Sequence, residues 1–156
     1  MVPQTSGTTN YLNGVSCVDE ENVWVAGLNA TVLKTSNHGE SWIIEPITLN
    51  PANGFNSIHF LDILTGWVLG NYAFIRTLDG GGSWIGEEYT NLTFYRKDIH
   101  AMSNSVAWIV GGSSSYLWIS RLTINPDDTI YEHIYLITVS GQMLYGVDFI
   151  DADNGW

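Results

Sequence analysis

The chain has 156 residues, with 5 Lys+Arg against 16 Asp+Glu and a formal net charge of −11. No run of Lys or Arg is present to neutralise phosphates, which argues against nucleic acid and anionic membrane surfaces as partners, and no apolar run approaches the ~18 residues of a membrane span. Seven Trp and eight Tyr among many Val, Ile and Thr favour strands, because rings and branched side chains pack well on a pleated surface.

The opening MVPQTSGTTN lacks the basic and apolar regions of a leader, and VPQTSG reads as an extended strand. Next comes NGVSCVD, an alternating run that holds the single cysteine; one cysteine makes no internal disulfide, and Cys17, within the apolar stretch VSCV, is expected to be buried and inert. A second strand centres on Trp24, a third is ATVLKT, and a fourth starts at SWIIEPI. The same series then recurs: NSIHFLD, GWVLGN, AFIRT and SWIGEEY follow one another, and IHAMSNSVAWIVG and VDFIDADNGW begin two further copies. In each copy the Trp lies nine positions after the first apolar residue: Trp24 after Val15, Trp67 after Ile58, Trp108 after Ile99 and Trp156 after Val147. Asp19, Asp62 and Asp151 precede their Trp by five, and Ser103 takes that place in the third copy. Gly, Asn and Asp clusters punctuate the strands as hairpins require, and no window has sustained helical periodicity.

A period near 40 residues with four strands per unit predicts an all-β fold, a β-propeller of four-stranded antiparallel blades. The predicted organisation is one partial propeller domain over 1–156. Residues 1–12 supply the last strand of a preceding blade, 13–49, 54–93 and 94–140 form three complete blades, and 143–156 start another. Such an arc is expected to expose apolar blade faces, so the sequence reads as a fragment of a larger, seven-bladed propeller or as a chain that self-associates through its blade edges.

An octet joins the third and fourth strands twice, TSNHGESW at 35–42 and TLDGGGSW at 77–84. It places Thr35, Asn37, Gly39, Ser41 and Trp42 in register with Thr77, Asp79, Gly81, Ser83 and Trp84. The Asn or Asp can accept hydrogen bonds from its own turn, the glycines can supply a positive φ, the serines can tie the turn and the Trp rings can pack between strands. A phosphate loop would need a helix after the glycines and a calcium site several more oxygen ligands, so a structural role is expected and no metal or cofactor. The third blade lacks the octet and carries the turn Asn125-Pro126-Asp127-Asp128 instead. The octet resembles the Asp-box, or bacterial neuraminidase repeat. Together with the GWV second strand, it makes the chain similar to the propellers of the photosystem II assembly and stability factor family and to related exported bacterial propellers. That resemblance implies a protein-binding role; its assembly-factor members use a basic surface, from which a net charge of −11 departs.

Two candidate sites follow. Ser16, His59, His100 and Asp148 share one repeat position and form a polar column near the propeller axis, where a metal or proton-transfer group could sit but where inter-blade hydrogen bonding is the simpler expectation. Propeller ligands usually lie on the loops at one rim, which makes Asn29, Asn71, Tyr72, Tyr95 and Tyr116 candidate contacts. Sialidases also carry Asp-boxes, but they need an arginine cluster with a Tyr/Glu pair, and only Arg76, Arg96 and Arg121 are present. The expected function is a non-catalytic binding platform for a protein or glycan partner, exported or at the cell surface. The alternatives are part of a sialidase-like glycoside hydrolase with its active residues outside this segment, or a photosystem II assembly factor. Asn29-Ala30-Thr31 and Asn91-Leu92-Thr93 match the glycosylation sequon.

Overall fold

The structure, a computed structural model, describes residues 3–48, 54–88, 95–127, 129–138, 142–151 and 154–156. The sequon at Asn91, Asp128 and the expected blade limits at 49, 93, 94 and 140 lie outside the described residues. The described residues form no helix. They form three four-stranded antiparallel sheets, each ordered as its strands occur in the chain. The first holds β1 (Leu12–Cys17), β2 (Asn22–Gly27), β3 (Thr31–Ser36) and β4 (Ile43–Ile44). The second holds β5 (Phe55–Phe60), β6 (Gly66–Gly70), β7 (Ala73–Thr77) and β8 (Ile85–Glu88). The third holds β9 (Tyr95–Ala101), β10 (Val106–Gly112), β11 (Tyr116–Ile124) and β12 (Ile130–Thr138). The chain is thus an all-β partial propeller.

Each turn between a blade's first two strands is closed by the polar residue five before the Trp. Asp19 Oδ1 accepts from the amides of Glu21 and Asn22 at 2.9 and 2.8 Å, and Asp62 Oδ1 from those of Leu64 and Thr65 at 2.7 and 2.8 Å. Asp151 Oδ1 accepts from Asn154 N at 2.9 Å. Ser103 does the same work with its hydroxyl, accepting from Ser105 and Val106 at 3.2 and 3.1 Å. A side-chain oxygen that mimics a backbone acceptor is what this turn requires, so Asp and Ser are interchangeable here.

The blades stack through two apolar clusters. Trp24, Phe55, Ile58, Phe60, Val68 and Ile75 join the first blade to the second, with Trp24 and Phe60 stacked at 4.0 Å and 15°. Trp67, Leu69, Phe74, Ile99, Ile109 and Trp118 join the second to the third. Burying one such indole is worth about 5 kcal/mol before conformational entropy, from ~25 cal/mol per Å² over roughly 200 Å².

Across the sheet from each second-strand Trp stands a cation: Trp24 pairs with Lys34, Trp67 with Arg76 and Trp108 with Arg121. Lys34 Nζ lies 5.1 Å from the Trp24 ring and donates at 2.8 Å to Gly80 O in the next blade's octet. Arg76 lies 6.0 Å from the Trp67 ring and its Nη1 donates at 2.5 Å to Asn104 O of the third blade. Each of these two cations is held by its own blade's ring and grips the blade that follows.

Three sequence expectations need correction. Cys17 is exposed, not buried. β1 buries Ser16 and turns Val15 and Cys17 to the other face, which no described residue covers. The equivalent Ile58 and Phe60 are buried because the first blade packs over them. Trp42 and Trp84 are half-buried and stand just before β4 and β8, so the fourth strands start later than SWIIEPI and SWIGEEY suggested. Residues 3–11 form no strand; Gln4 instead reaches the first octet, accepting from Trp42 Nε1 at 3.3 Å.

Candidate functional site

The two octets close in the same way. Thr77 Oγ1 donates to Asp79 Oδ1 at 2.8 Å and accepts from Gly81 N at 2.9 Å, while Asp79 accepts from Ser83 N at 2.8 Å and from Ser83 Oγ at 2.6 Å. Thr35, Asn37, Gly39 and Ser41 repeat the pattern, except that the Asn37 amide donates to Ser41 Oγ at 2.9 Å where the serine hydroxyl donates in the other octet. Gly39 and Gly81 have φ of 81° and 102°. The Ser83 hydroxyl, its amide and the Thr77 hydroxyl hold the Asp79 carboxyl down at about 2. Both oxygens of Asp79 are engaged inside the turn, which makes the octet a self-contained corner.

The polar column lies along the innermost strands. Ser16 Oγ accepts from Phe60 N at 2.9 Å, and His59 Nδ1 accepts from Ala101 N at 2.7 Å. Phe60 follows His59 as Ala101 follows His100, so Ser16 and His59 each receive the amide beside the next column residue. Acceptance at Nδ1 puts the His59 proton on Nε2. The His59 and His100 rings are 4.3 Å apart, and His100 Nδ1 lies 2.9 Å from Asp148 Oδ1. Burial, and then the neighbouring His100, push the His59 pKa below the usual histidine value. The structure therefore brings all four residues into one run of blade-to-blade contacts. Among the described residues no group of three or more His, Cys, Asp or Glu side chains is placed to hold a metal ion.

A second column was not visible in the sequence. Each first strand carries one extra residue in its pairing with the second: Asn13 between Leu12 and Gly14, Asn56 between Phe55 and Ser57, and Lys97 between Arg96 and Asp98. These are β-bulges at one repeat position, and a bulge re-aims its side chain. All three line an open axial groove of about 400 Å³ together with His59, His100 and Tyr145. Asn13 Nδ2 donates to Phe55 O at 2.8 Å and Asn56 Nδ2 to Arg96 O at 2.6 Å, again one blade to the next. Lys97 breaks the series: its ammonium sits 5.6 Å from the Tyr95 ring and 5.8 Å from the Tyr145 ring. Beneath it, Asp98 accepts from Ser57 Oγ at 2.5 Å and from Val147 N at 2.9 Å.

At the groove's mouth the turns between second and third strands meet the segments that enter each blade. Tyr72, Tyr95 and Tyr116 are exposed there. Asn71 is half-buried and its Oδ1 accepts from Asn56 at 2.9 Å, while Asn29, at φ 58°, donates to Asn10 Oδ1 at 2.9 Å. Both asparagines brace the rim more than they offer contact. Tyr11 and Tyr145, which sequence reasoning missed, are more exposed, at 78 and 73 %. Tyr145 could have been found by its spacing, since it occupies the bulge position in the fourth repeat. The mouth presents phenol rings, an ammonium and amide groups, the chemistry that suits the main chain and side chains of a polypeptide.

Comparison with known proteins gives one family and one fold. The family model for photosynthesis system II assembly factor YCF48 matches residues 1–78. The solved structure of YCF48 bound to D1 peptide aligns with a TM-score of 0.66 and 26% identity, over 80% of this chain and 41% of that one. YCF48 from Cyanidioschyzon merolae aligns with a TM-score of 0.59 and 22% identity, over 80% of this chain and 37% of that one. The chain spans about two fifths of the length of these structures. No curated protein matches it in sequence.

Proposed function

The chain belongs to the photosynthesis system II assembly factor YCF48 family, and from that premise we propose that it is a non-catalytic propeller that binds a polypeptide partner at the axial mouth. The observation that carries this reading is the pair of exposed rings Tyr95 and Tyr145 on either side of the Lys97 ammonium, at a groove that Lys97 and Tyr145 line, with Tyr11, Tyr72 and Tyr116 also exposed at the same end of the sheets. Tyrosine supplies large, rigid contact area at small entropic cost. A relative with the same fold is seen bound to a D1 peptide, which supports a peptide as the ligand class. A role in photosystem II assembly is the narrower form of this reading, and the family supports it, while the acidity of the chain requires a surface different from a basic one. An exported or cell-surface location, as in related bacterial propellers, completes the proposal and is tested by fractionation of the source cells.

The test is fluorescence anisotropy with a labelled D1 peptide, a scrambled peptide and a panel of glycans. The expected result is saturable binding of the D1 peptide alone. Tyr95→Ala/Tyr145→Ala should weaken it at least tenfold, as loss of two aromatic anchors predicts, with an unchanged unfolding midpoint. Equal affinity for the scrambled peptide would remove the photosystem reading, and binding of a glycan in place of peptide would remove the polypeptide one.

A further inference from the structure

The outer margin of the third sheet differs from the margins of the other two. Among the described residues β4 has two and β8 four, whereas β12 pairs with β11 over nine, from Ile130 opposite Ile124 to Thr138 opposite Tyr116. Among the described residues it is the end strand of its sheet, with one row of its N–H and C=O groups open to a further strand. Natural sheets blunt such edges with short strands, Pro, Lys or bulges. β12, with the sequence IYEHIYLIT, has no Pro or Lys, and its pairing runs without a bulge. Its one carboxylate, Glu132, is turned inward, 3.0 Å from Arg96 Nη2 and accepting from Ser120 Oγ at 2.7 Å. Tyr131, Ile134, Tyr135 and Ile137 remain exposed.

We propose that the β12 edge pairs antiparallel with β12 of a second copy of this chain, across a twofold axis at Ile134. In that register Tyr131 faces Ile137, His133 faces Tyr135 and Ile134 faces its own copy. Aromatic and β-branched residues directly opposite one another are the favourable cross-strand pairs, and Glu132 does not meet its counterpart. Charge does not oppose this place. A chain of net charge −11 repels its copy over most approaches, but β11 and β12 carry no exposed carboxylate. Blades stack through their faces, so this pairing along the outer edge is compatible with any number of further blades. It uses none of the tyrosines of the axial mouth and stands independently of the peptide-binding reading.

The test is sedimentation equilibrium of the full chain with Cys17→Ser, at concentrations up to about 100 µM. A single strand pair is a small interface, and a dissociation constant of roughly 10 µM is expected. Added salt should increase the dimer fraction by screening the like charges. Tyr131→Lys/Ile137→Lys sets lysines against lysines across the axis and should give a monomer with an unchanged far-ultraviolet circular dichroism spectrum. Independently of that variant's folding, Ile134→Cys in the Cys17→Ser background should form a disulfide dimer under mild oxidation, because directly opposite strand residues lie within disulfide range. Tyr116→Cys, at the axial mouth, should not. A monomer at about 100 µM with no cross-link in the Ile134→Cys variant overturns the proposal, as does a dimer that survives the lysine pair and leaves the Ile134→Cys thiols unlinked.

Discussion

Trp24 and Trp67 occupy the same repeat position and both are fully buried, yet only one has a use for its indole nitrogen. Trp67 Nε1 donates at 3.1 Å to Ser103 O in the turn of the following blade. Trp24 Nε1 is buried with no acceptor among the described residues. Replacing each by Phe separates the ring from the nitrogen. The smaller ring leaves about 40 Å³ unfilled, worth roughly 1 kcal/mol at either site at ~24 cal/mol per Å³. At Trp67 a hydrogen bond of about 1 kcal/mol is lost as well, whereas at Trp24 removal of an unpaired buried donor returns about as much. Trp67→Phe should therefore cost roughly 2 kcal/mol and Trp24→Phe close to zero, a difference of about thirtyfold in the unfolding equilibrium. Urea unfolding followed by far-ultraviolet circular dichroism reads this directly, with equal m-values as the condition for comparison. Equal costs at the two sites, or a larger cost at Trp24, would refute the claim that the Trp67 nitrogen latches the second blade to the third.

Because the Asp79 carboxyl is held near 2 when folded, below its usual 3.8, its contribution is present above pH 3.8 and is lost as the pH falls towards 2. Asp79→Asn, which copies the sister octet, should fold normally at pH 7 and show a shallower fall in melting temperature across that window; an unchanged slope would count against it. His59 is also depressed, so its contribution is complete above pH 6.5 and declines as the pH drops below that value. Proton NMR should show the His59 ring titrating below pH 6.5, and a midpoint at or above it would contradict the buried, amide-accepting geometry. Cys17 should react with a maleimide in the folded chain as fast as in urea to within about tenfold, since thiol reactivity requires access; strong protection would mean its face is covered.

The fold was legible in the sequence because its signal is repeated. Four Trp residues at constant distance from an apolar run mark the second strand of each unit, and the octets mark two corners. The column of Ser16, His59, His100 and Asp148 was legible for the same reason, since alignment alone puts these residues in one place. The bulge column was not. An extra residue in a ladder is a change of backbone pairing, and Asn, Asn and Lys share no chemistry that would flag it. Cys17 was misread because VSCV looks apolar on both faces, whereas what covers a strand is decided by the neighbouring blade. The length of β12 was equally hidden, because the turn after Thr123 reads as a loop while its flanks pair all the way out.

The bulges at Asn13, Asn56 and Lys97 also separate two kinds of selection. A residue in register with its partner strand is constrained by packing on both sides. A residue in excess of the ladder is released from that constraint and still points, blade after blade, at the same mouth. Asparagine, lysine and, at the fourth repeat, tyrosine already occupy the position without disturbing the cores behind them. The groove can therefore be rewritten one blade at a time without repacking a core, at the cost of no more than the blade-to-blade hydrogen bonds that Asn13 and Asn56 make there.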